Sequence, residues 1–285
     1  MEVKSVAVIG AGTMGNGIAQ VVAASGISVV MTDINDAGLK RGLDAIGKSL
    51  ERLVSKQKLS ATDRTALLGR IRTTTRLEDI ADCDVVVEAA TENVDLKLKI
   101  FADLDRLAKP AAILASNTSS ISLTRIAGTT RRPSQVIGMH FFNPVPVMPL
   151  VELIRALQTS DTTYQAIKAL TEKLGKSPVE VKNSPGFVGN RILLPMLNEA
   201  VYCLHEGLAT AEDIDSVMKL GMGHPMGPLA LADLIGLDTC LAILRVLYEG
   251  FKDPKYRPCL LWQEKVDAGE LGRKTGRGFF VYTKP

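Results

Sequence analysis

A histidine and a glutamate on neighbouring predicted strands could carry out proton transfer. His140 directly follows the apolar run at residues 136–139, and Glu152 lies inside the next run, at residues 150–154. An unpaired carboxylate inside an apolar strand is unfavourable, so we expect Glu152 to have a partner. Beside an imidazole, this carboxylate would fix the tautomer and orient the ring as a general base. Arg155 is the alternative partner, and with it the carboxylate would be structural.

The other two histidines give weaker indications of chemistry. His205 lies near the end of a predicted helix, where the helix dipole favours a cation, so a capping or surface role is expected. His224 lies in a loop rich in glycine and proline, where it could be structural or line a pocket. We therefore take His140 as the candidate base.

A glycine-rich turn near the N-terminus could bind the phosphates of a nucleotide. It follows an apolar run at residues 6–9 and precedes a predicted helix, so backbone N–H groups and the helix dipole would face an anion. The turn consists of Gly10, Gly12, Thr13, Met14 and Gly15. Asp33 ends the next predicted strand, at the spacing expected of the acid that binds ribose hydroxyls. Because no arginine follows Asp33 directly, the pattern favours NAD over NADP. The alternative is a plain βαβ turn with a solvated aspartate.

The elements that must position these residues alternate between strands and helices up to about residue 183. This alternation predicts an α/β fold with a Rossmann-type, doubly wound, mostly parallel sheet. The predicted strands are residues 3–9, 27–31, 72–75, 85–88, 112–116, 136–139, 150–154 and 179–181. Residues 37–70 predict a helical hairpin that projects from the sheet, with Asp36 as the N-cap of its first helix.

The pattern changes after residue 183. Strand-like runs disappear up to about residue 272, and helical periods dominate instead. The segment Asn183-Ser-Pro-Gly186 is a break signal at the point of change. We therefore predict a Rossmann-like NAD-binding domain over residues 1–183 and an all-helical C-terminal domain over residues 184–285.

Polar side chains follow several of the predicted strands. They are Asp33, Glu92, Asn117, Ser119, His140 and Asn143. Because open α/β sheets bind ligands outside the carboxyl ends of their strands, we expect these residues to lie around one cleft.

Composition excludes several classes of function. The 285 residues carry a net charge of +3 and no long basic run, so nucleic acid is not an expected partner. No apolar run is long enough to predict a membrane span, and no targeting segment precedes the first strand. The four cysteines lack a C-x-x-C pattern, so we expect no metal site and reduced, mostly buried thiols. These features predict a cytoplasmic protein.

Ordered motifs over essentially the whole chain resemble those of the L-3-hydroxyacyl-CoA dehydrogenases. They are Gly10-Ala-Gly-Thr-Met-Gly15, Ser116-Asn-Thr-Ser-Ser120, His140-Phe-Phe-Asn-Pro-Val-Pro-Val-Met148, Leu150-Val-Glu152, Pro185-Gly-Phe-Val-Gly-Asn-Arg191 and Lys274-Thr-Gly-Arg-Gly-Phe279. The length is similar to that of the bacterial 3-hydroxybutyryl-CoA dehydrogenases. The resemblance implies NAD-dependent oxidation of an L-3-hydroxyacyl-CoA to a 3-oxoacyl-CoA and the reverse reduction, with 3-hydroxybutyryl-CoA and acetoacetyl-CoA as the expected substrates.

The resemblance also implies roles for residues near the reacting atoms. His140 matches the family's catalytic base, and Glu152 matches the partner of that base. Ser119 matches a residue that touches both substrate and nicotinamide. Asn190 matches the amide near the thioester carbonyl.

Further positions match cofactor and coenzyme A contacts. Those that match contacts with NAD are Asp33, Glu92, Lys97, Ser119, Asn143 and Lys274, of which Lys274 depends on aligning a glycine-rich tail. Ser49 and Lys56, on the long helix after Asp33, match positions that meet coenzyme A. An ammonium group at residue 56 could pair with a phosphate. The family's helical domain usually forms a homodimer, so we expect one here.

Two alternatives remain open from the sequence. Sugar-acid dehydrogenases of the same superfamily share the glycine turn and a His-x-x-Asn-Pro segment, but a small carboxylate substrate would not need Ser49 and Lys56 on a basic helix. A non-catalytic nucleotide-sensing protein could use the same scaffold, but it would not need both His140 and Glu152.

Overall fold

The computed structural model describes residues 2–282, which divide between residues 183 and 184 into two compact units. Unit 1 contains eight strands and six α-helices. Unit 2 contains five α-helices and, among its described residues, no named strand.

One sheet organises unit 1. Its strands are β1 (Ser5–Ile9), β2 (Ser28–Thr32), β3 (Ile71–Thr74), β4 (Val85–Glu88), β5 (Ile113–Ser116), β6 (Val136–Phe141), β7 (Leu150–Arg155) and β8 (Ser177–Lys182). They lie in the order β3-β2-β1-β4-β5-β6-β7-β8. All neighbours pair in parallel except β6 and β7, which are antiparallel. The chain runs outward from β1 in both directions, so the sheet has a topological switch point between β1 and β4. The predicted fold class is confirmed.

The central strands are apolar because helices cover both faces of a parallel sheet. Val6, Val8, Val85 and Val87 are at most 1% exposed. The helices of unit 1 are α1 (Thr13–Ala24), α2 (Asp36–Ser55), α3 (Ala61–Gly69), α4 (Val94–Leu107), α5 (Leu123–Ala127) and α6 (Asp161–Lys173). α5 was not predicted, because its five residues are too few to show a helical period.

α2 and α3 occupy the segment for which a helical hairpin is predicted, and the predicted N-cap of its first helix is wrong. Asn35 caps α2, since its side-chain oxygen accepts a hydrogen bond from the backbone N–H of Gly38 at 2.8 Å. Asp36 is the first helical residue and complements the helix dipole from the first turn instead. Both residue types are good N-caps, so the sequence could not separate them.

The predicted end of β6 is also wrong, and the error affects the site. The strand continues two residues beyond Met139, so His140 lies within the strand rather than after it. Pairing with β7 extends the ladder as far as Phe141 opposite Val151. Because the extension depends on a partner strand, the local apolar pattern did not contain it.

Unit 2 is built from helices around its own apolar core. They are α7 (Gly189–His205), α8 (Ala211–Gly221), α9 (Pro228–Ile235), α10 (Leu237–Phe251) and α11 (Leu260–Asp267). Trp262, on α11, is fully buried in this core. Its indole N–H and the backbone N–H of Cys259 both donate to the side-chain oxygen of Asn198, at 2.9 Å each.

A buried aspartate anchors the end of unit 2. Asp233, on α9, accepts hydrogen bonds from the backbone N–H groups of Phe279 and Phe280 and from the Tyr282 hydroxyl, at 2.9, 3.0 and 2.9 Å. Burial, together with this carboxylate, raises the pKa of Tyr282 to about 12. Residues 272–282, which include Lys274, are therefore held against α9.

Two further features concern the helices and the cysteines. Among residues 2–282, no helix is both long enough and apolar enough to cross a lipid bilayer. All four cysteines are free, and Cys83, Cys240 and Cys259 are buried. Burial raises the pKa of Cys83 to about 11 and that of Cys240 to about 12, so neither is a reactive thiolate at neutral pH.

Candidate active site

The glycine turn joins β1 to α1 with the close packing expected of a nucleotide site. Gly10 has φ +100°, and a Cβ on it would lie 2.8 Å from the carbonyl oxygen of Ala89, at the end of β4. A Cβ on Gly15 would collide with the carbonyl oxygen of Gly10 at 1.8 Å. At Gly12, by contrast, a Cβ would have no neighbour within 4 Å, and no side chain caps the start of α1. The turn therefore leaves an open cradle of backbone N–H groups, which fits a pyrophosphate.

Asp33 lies directly beside this turn. Its carboxylate accepts hydrogen bonds from the backbone N–H groups of Ala11 and Ile34, both at 2.8 Å. A Cβ on Gly38 would lie 2.8 Å from the same carboxylate, so the start of α2 packs closely over it. The backbone thus holds the acid at the edge of the cradle, where a ribose would follow the pyrophosphate.

Arg41 is a charged residue of this cleft that sequence reasoning missed. The cleft measures about 290 Å³, and its lining residues are Ala11, Gly12, Thr13, Asn16, Asp33, Gly38 and Arg41. The prediction considered only the residues that directly follow Asp33. Residues 38 and 41 are one helical turn apart on α2, so the helical period could have placed the guanidinium on this face.

A second cleft lies at the ends of β4 and β5. It measures about 240 Å³ and is lined by Met14, Ala89, Ala90, Thr91, Glu92, Lys97 and Asn117. The side chain of Lys97, a predicted NAD contact, is 1% exposed and forms an ion pair with fully buried Glu88. Ser116 donates to the same carboxylate at 2.9 Å. The charge of Lys97 is therefore balanced inside the protein, and Glu88 is a site residue that the sequence did not reveal.

Glu92 and Ser119, both predicted site residues, lie together. One carboxylate oxygen of Glu92 accepts hydrogen bonds from the backbone N–H of Ser119 at 2.8 Å and from its hydroxyl at 3.2 Å. The other oxygen accepts from the Thr118 hydroxyl at 2.7 Å. Glu92 therefore holds the loop after β5 in place and orients the Ser119 hydroxyl.

His140 and Glu152 face each other across the antiparallel pair β6 and β7. They occupy directly opposed positions, with Nδ1 of His140 2.7 Å from Oε2 of Glu152. Both residues are buried, at 7% and 2% exposure. Since an ionised carboxylate can only accept, we assign the proton to Nδ1, and Nε2 is then the nitrogen that would exchange a proton with a substrate. Arg155 instead pairs with Asp161 and Glu180 on the protein surface.

A side-chain amide ties the ends of β5 and β6 together. Asn117 accepts a hydrogen bond from the backbone N–H of Phe141 at 2.9 Å. The ring of Phe142 packs at 4.7 Å, centroid to centroid, from the imidazole of His140. These contacts restrict the position of the imidazole at the edge of the sheet.

The remaining predicted residues of unit 1 are more exposed. Ser49 is half-buried on α2, and Lys56 is the exposed C-cap residue of that helix. Asn143 is exposed in the loop between β6 and β7. None of these three takes part in the hydrogen-bonded clusters described above.

Two of the predicted site residues, Asn190 and Lys274, belong to unit 2. Asn190 is the second residue of α7 and is half-buried. Lys274 is exposed, and its ammonium group donates to both oxygens of Asp238 at 2.5 and 2.7 Å. Burial alone would raise the pKa of Asp238, but these hydrogen bonds lower it on balance.

The geometry beside the glycine turn suits a nucleotide cofactor. Within residues 2–282 there is no group of three or more histidine, cysteine, aspartate or glutamate side chains that could hold a metal ion. The open cradle at Gly12 and the acid beside it fit NAD.

Comparison with known proteins identifies relatives over nearly the full chain. The family model described as "3-hydroxyacyl-CoA dehydrogenase, NAD binding domain" matches residues 5–184, and "3-hydroxyacyl-CoA dehydrogenase, C-terminal domain" matches residues 186–282. A probable 3-hydroxybutyryl-CoA dehydrogenase of Bacillus subtilis is 54% identical over 282 residues, which cover 99% of this chain and 98% of the relative. A 3-hydroxybutyryl-CoA dehydrogenase of Bradyrhizobium diazoefficiens is 54% identical over 280 residues, or 98% and 96% of the two chains.

A solved structure is similarly close. The crystal structure of (S)-3-hydroxybutyryl-CoA dehydrogenase from Ralstonia eutropha is 58% identical in sequence and superposes with a TM-score of 0.96, covering 99% of this chain and all of the other.

Proposed function

Because the chain belongs to the 3-hydroxyacyl-CoA dehydrogenase family, we propose that it oxidises L-3-hydroxybutyryl-CoA to acetoacetyl-CoA with NAD and catalyses the reverse reduction. The buried pair of His140 and Glu152, on the same sheet as the glycine turn, is the observation that carries the proposal. It provides a general base, held by a carboxylate, on the scaffold that binds the cofactor.

In the proposed mechanism the 3-hydroxyl of the substrate lies between His140 and Ser119. His140 removes the hydroxyl proton through Nε2 as the hydride leaves carbon 3, and a carbonyl group forms. NAD, when bound, supplies the acceptor for that hydride. Glu152 stabilises the imidazolium that develops, because a carboxylate within hydrogen-bond distance favours the protonated ring. In the reductive direction His140 returns the proton to the oxygen.

We propose supporting roles for three further residues. Ser119 would turn its single hydroxyl proton from Glu92 to the substrate oxygen, while Glu92 keeps holding the backbone N–H of Ser119. Asn190 would bind the thioester carbonyl, a role that rests on the motif match. Holding the reacting groups in line contributes much of the rate enhancement in reactions of this type.

The direct test is the disappearance of NADH absorbance in the presence of acetoacetyl-CoA. We expect turnover with acetoacetyl-CoA and none with small sugar acids in the oxidative direction. Turnover of sugar acids alone would support the alternative dehydrogenase. A protein that binds NADH but turns over neither substrate class would support the nucleotide-sensing alternative.

Asp33 should make the enzyme prefer NADH to NADPH. Its carboxylate would repel a 2′-phosphate, and like-charge contacts cost several kcal/mol, so kcat/KM should favour NADH by at least about tenfold. Asp33→Ser should reduce this ratio by about tenfold, because Arg41 lines the same cleft and can then pair with the phosphate. Adding Arg41→Ala to that variant is the matched control and should remove the gain. Equal use of both cofactors by the wild type would contradict the assignment.

Lys56 should contribute to acyl-CoA binding. Lys56→Ala should raise KM for acetoacetyl-CoA by roughly two- to fivefold and leave KM for NADH unchanged, since an exposed charge pair is weakened by solvent. Lys58→Ala, two residues further along and also exposed, is the matched control and should change neither constant. If KM for NADH rises instead, residue 56 does not belong to the coenzyme A site.

We also propose that unit 2 forms a homodimer. It contains an apolar cleft of about 560 Å³ lined by Met196, Glu199, Ala200, Cys203, Leu208, Ala209, Ile214, Val217, Met218 and Pro228. Leu208 and Val217 are 76% and 60% exposed, which is unusual for large apolar side chains beside such a cleft. A second copy of the chain would cover this surface, as the resemblance implies.

Val217→Glu should convert the dimer to a monomer, because an ionised carboxylate would be buried in an apolar interface. Light scattering coupled to size exclusion measures the mass of wild type and variant. Lys219→Glu, on the same helix but outside the cleft lining, is the control and should remain dimeric. A monomeric wild type at micromolar concentration would refute the proposal.

A cytoplasmic location is also proposed. Four free cysteines, three of them buried, suit a reducing compartment.

A further inference from the structure

We propose that Lys176 is a positioning residue for the reaction, and the inference rests on the proposed function. Its buried ammonium group holds residues 142–149, the loop that leads from β6 to β7. This loop begins two residues after His140 and carries Asn143. Lys176 thereby sets the position of both the base and a cofactor-binding side chain without touching the reacting atoms.

The contacts of Lys176 are specific and long-range in sequence. Its Nζ donates hydrogen bonds to the backbone carbonyl oxygens of Val145 at 2.6 Å and Met148 at 2.8 Å. The residue is 9% exposed, and burial lowers the pKa of its ammonium group. In the described part of the chain no carboxylate forms an ion pair with it, so backbone carbonyls supply the partners of its charge. Burying an ammonium group is unfavourable unless hydrogen bonds compensate for it, and here the carbonyl groups of the 142–149 loop provide them. Lys176 therefore fixes the position of that loop.

The sheet places Lys176 at the edge where the site lies. It immediately precedes β8, whose first residue, Ser177, is paired with Leu150 at the start of β7. Because β7 runs antiparallel to β6, the starts of β7 and β8 lie beside the end of β6. That edge also holds the carboxyl ends of the parallel strands. Lys176 therefore lies at the same edge of the sheet as the loop and can reach the backbone of the loop.

The loop also rests on α1, the helix that follows the glycine turn. Val145 is 2% exposed, and a Cβ on Gly17 of α1 would lie 2.8 Å from the Val145 Cβ atom. The loop is thus held between α1 and Lys176. By contrast, Val147 is 72% exposed, so apolar burial anchors little of the remaining loop. Loss of the ammonium group would release the loop from one of its two supports.

Lys176→Met tests the inference, since it keeps the unbranched apolar stem of the side chain and removes every donor. We expect kcat for acetoacetyl-CoA reduction to fall at least tenfold and the Kd of NADH, measured by fluorescence titration, to rise at least fivefold. Both are measured at a temperature where circular dichroism shows a folded protein. Lys173→Met, on the exposed surface at the end of α6, is the matched control and should change neither value.

Lys176→Arg is the second test variant, and it keeps the proposal testable if Lys176→Met does not fold. In the wild type a single nitrogen atom, Nζ of Lys176, donates to both carbonyl oxygens. A planar guanidinium cannot reproduce that arrangement without moving the loop. We therefore expect kcat of Lys176→Arg to fall at least threefold. Either folded variant with kcat and Kd within twofold of wild type would overturn the proposal, even if its melting temperature fell. The Kd of NADH does not depend on the acyl substrate. If the wild type itself fails to reduce acetoacetyl-CoA, a raised Kd of NADH in Lys176→Met would therefore refute the proposed function and leave the role of Lys176 standing.

Discussion

We expect His140→Ala to lower kcat for acetoacetyl-CoA reduction by at least about 100-fold, the lower end of what general acid–base catalysis contributes. In the proposed mechanism the imidazole exchanges the proton with the substrate oxygen, and alanine leaves no group to replace it. Steady-state kinetics with saturating NADH and acetoacetyl-CoA measures the loss. A decrease of less than about tenfold would show that another residue acts as the base.

NADH binding should survive in this variant. The cofactor cradle is formed by the turn between β1 and α1 and by Asp33 after β2, while His140 lies on β6. Fluorescence titration should therefore give a Kd of NADH close to that of the wild type. His205→Ala is the matched control, since that histidine is exposed at the end of α7, and it should leave kcat unchanged.

Glu152→Gln should lower kcat by roughly 10- to 100-fold, since hydrogen bonds to charged groups contribute about 1.5–3 kcal/mol. Glutamine keeps the shape of the side chain and removes its charge. Without the carboxylate, the proposed mechanism loses the group that orients the imidazole, so the loss should appear in kcat in both directions of the reaction.

The competing interpretation is that Glu152 serves only to stabilise the fold. In that case Glu152→Gln would lower the melting temperature and leave kcat unchanged at a temperature where the variant is folded. Glu180→Gln provides the comparison, because this carboxylate lies on the neighbouring strand β8 and pairs with Arg155 rather than with His140. It should not alter kcat.

The sequence by itself determined the fold class and the local chemistry of the nucleotide site. Apolar runs such as residues 85–88 form buried strands because both faces of a parallel sheet are covered. The glycine turn and Asp33 are separated by one strand–helix–strand unit, whose geometry is nearly invariant, so their proximity could be predicted. Residues 94–107 form α4, since Asn93 caps it and its apolar residues recur at helical spacing.

Only the tertiary structure decided which distant side chains meet. The opposition of His140 and Glu152 depends on the antiparallel register of β6 and β7, and a shift of one residue would place the two side chains on opposite faces. The burial of Lys97 against Glu88 and the reach of Lys176 to the 142–149 loop depend on packing between elements far apart in sequence. Local patterns record which face of an element is apolar. They do not indicate which residue will pair with a buried charge, because that pairing depends on how the elements pack together and on the register of the strands.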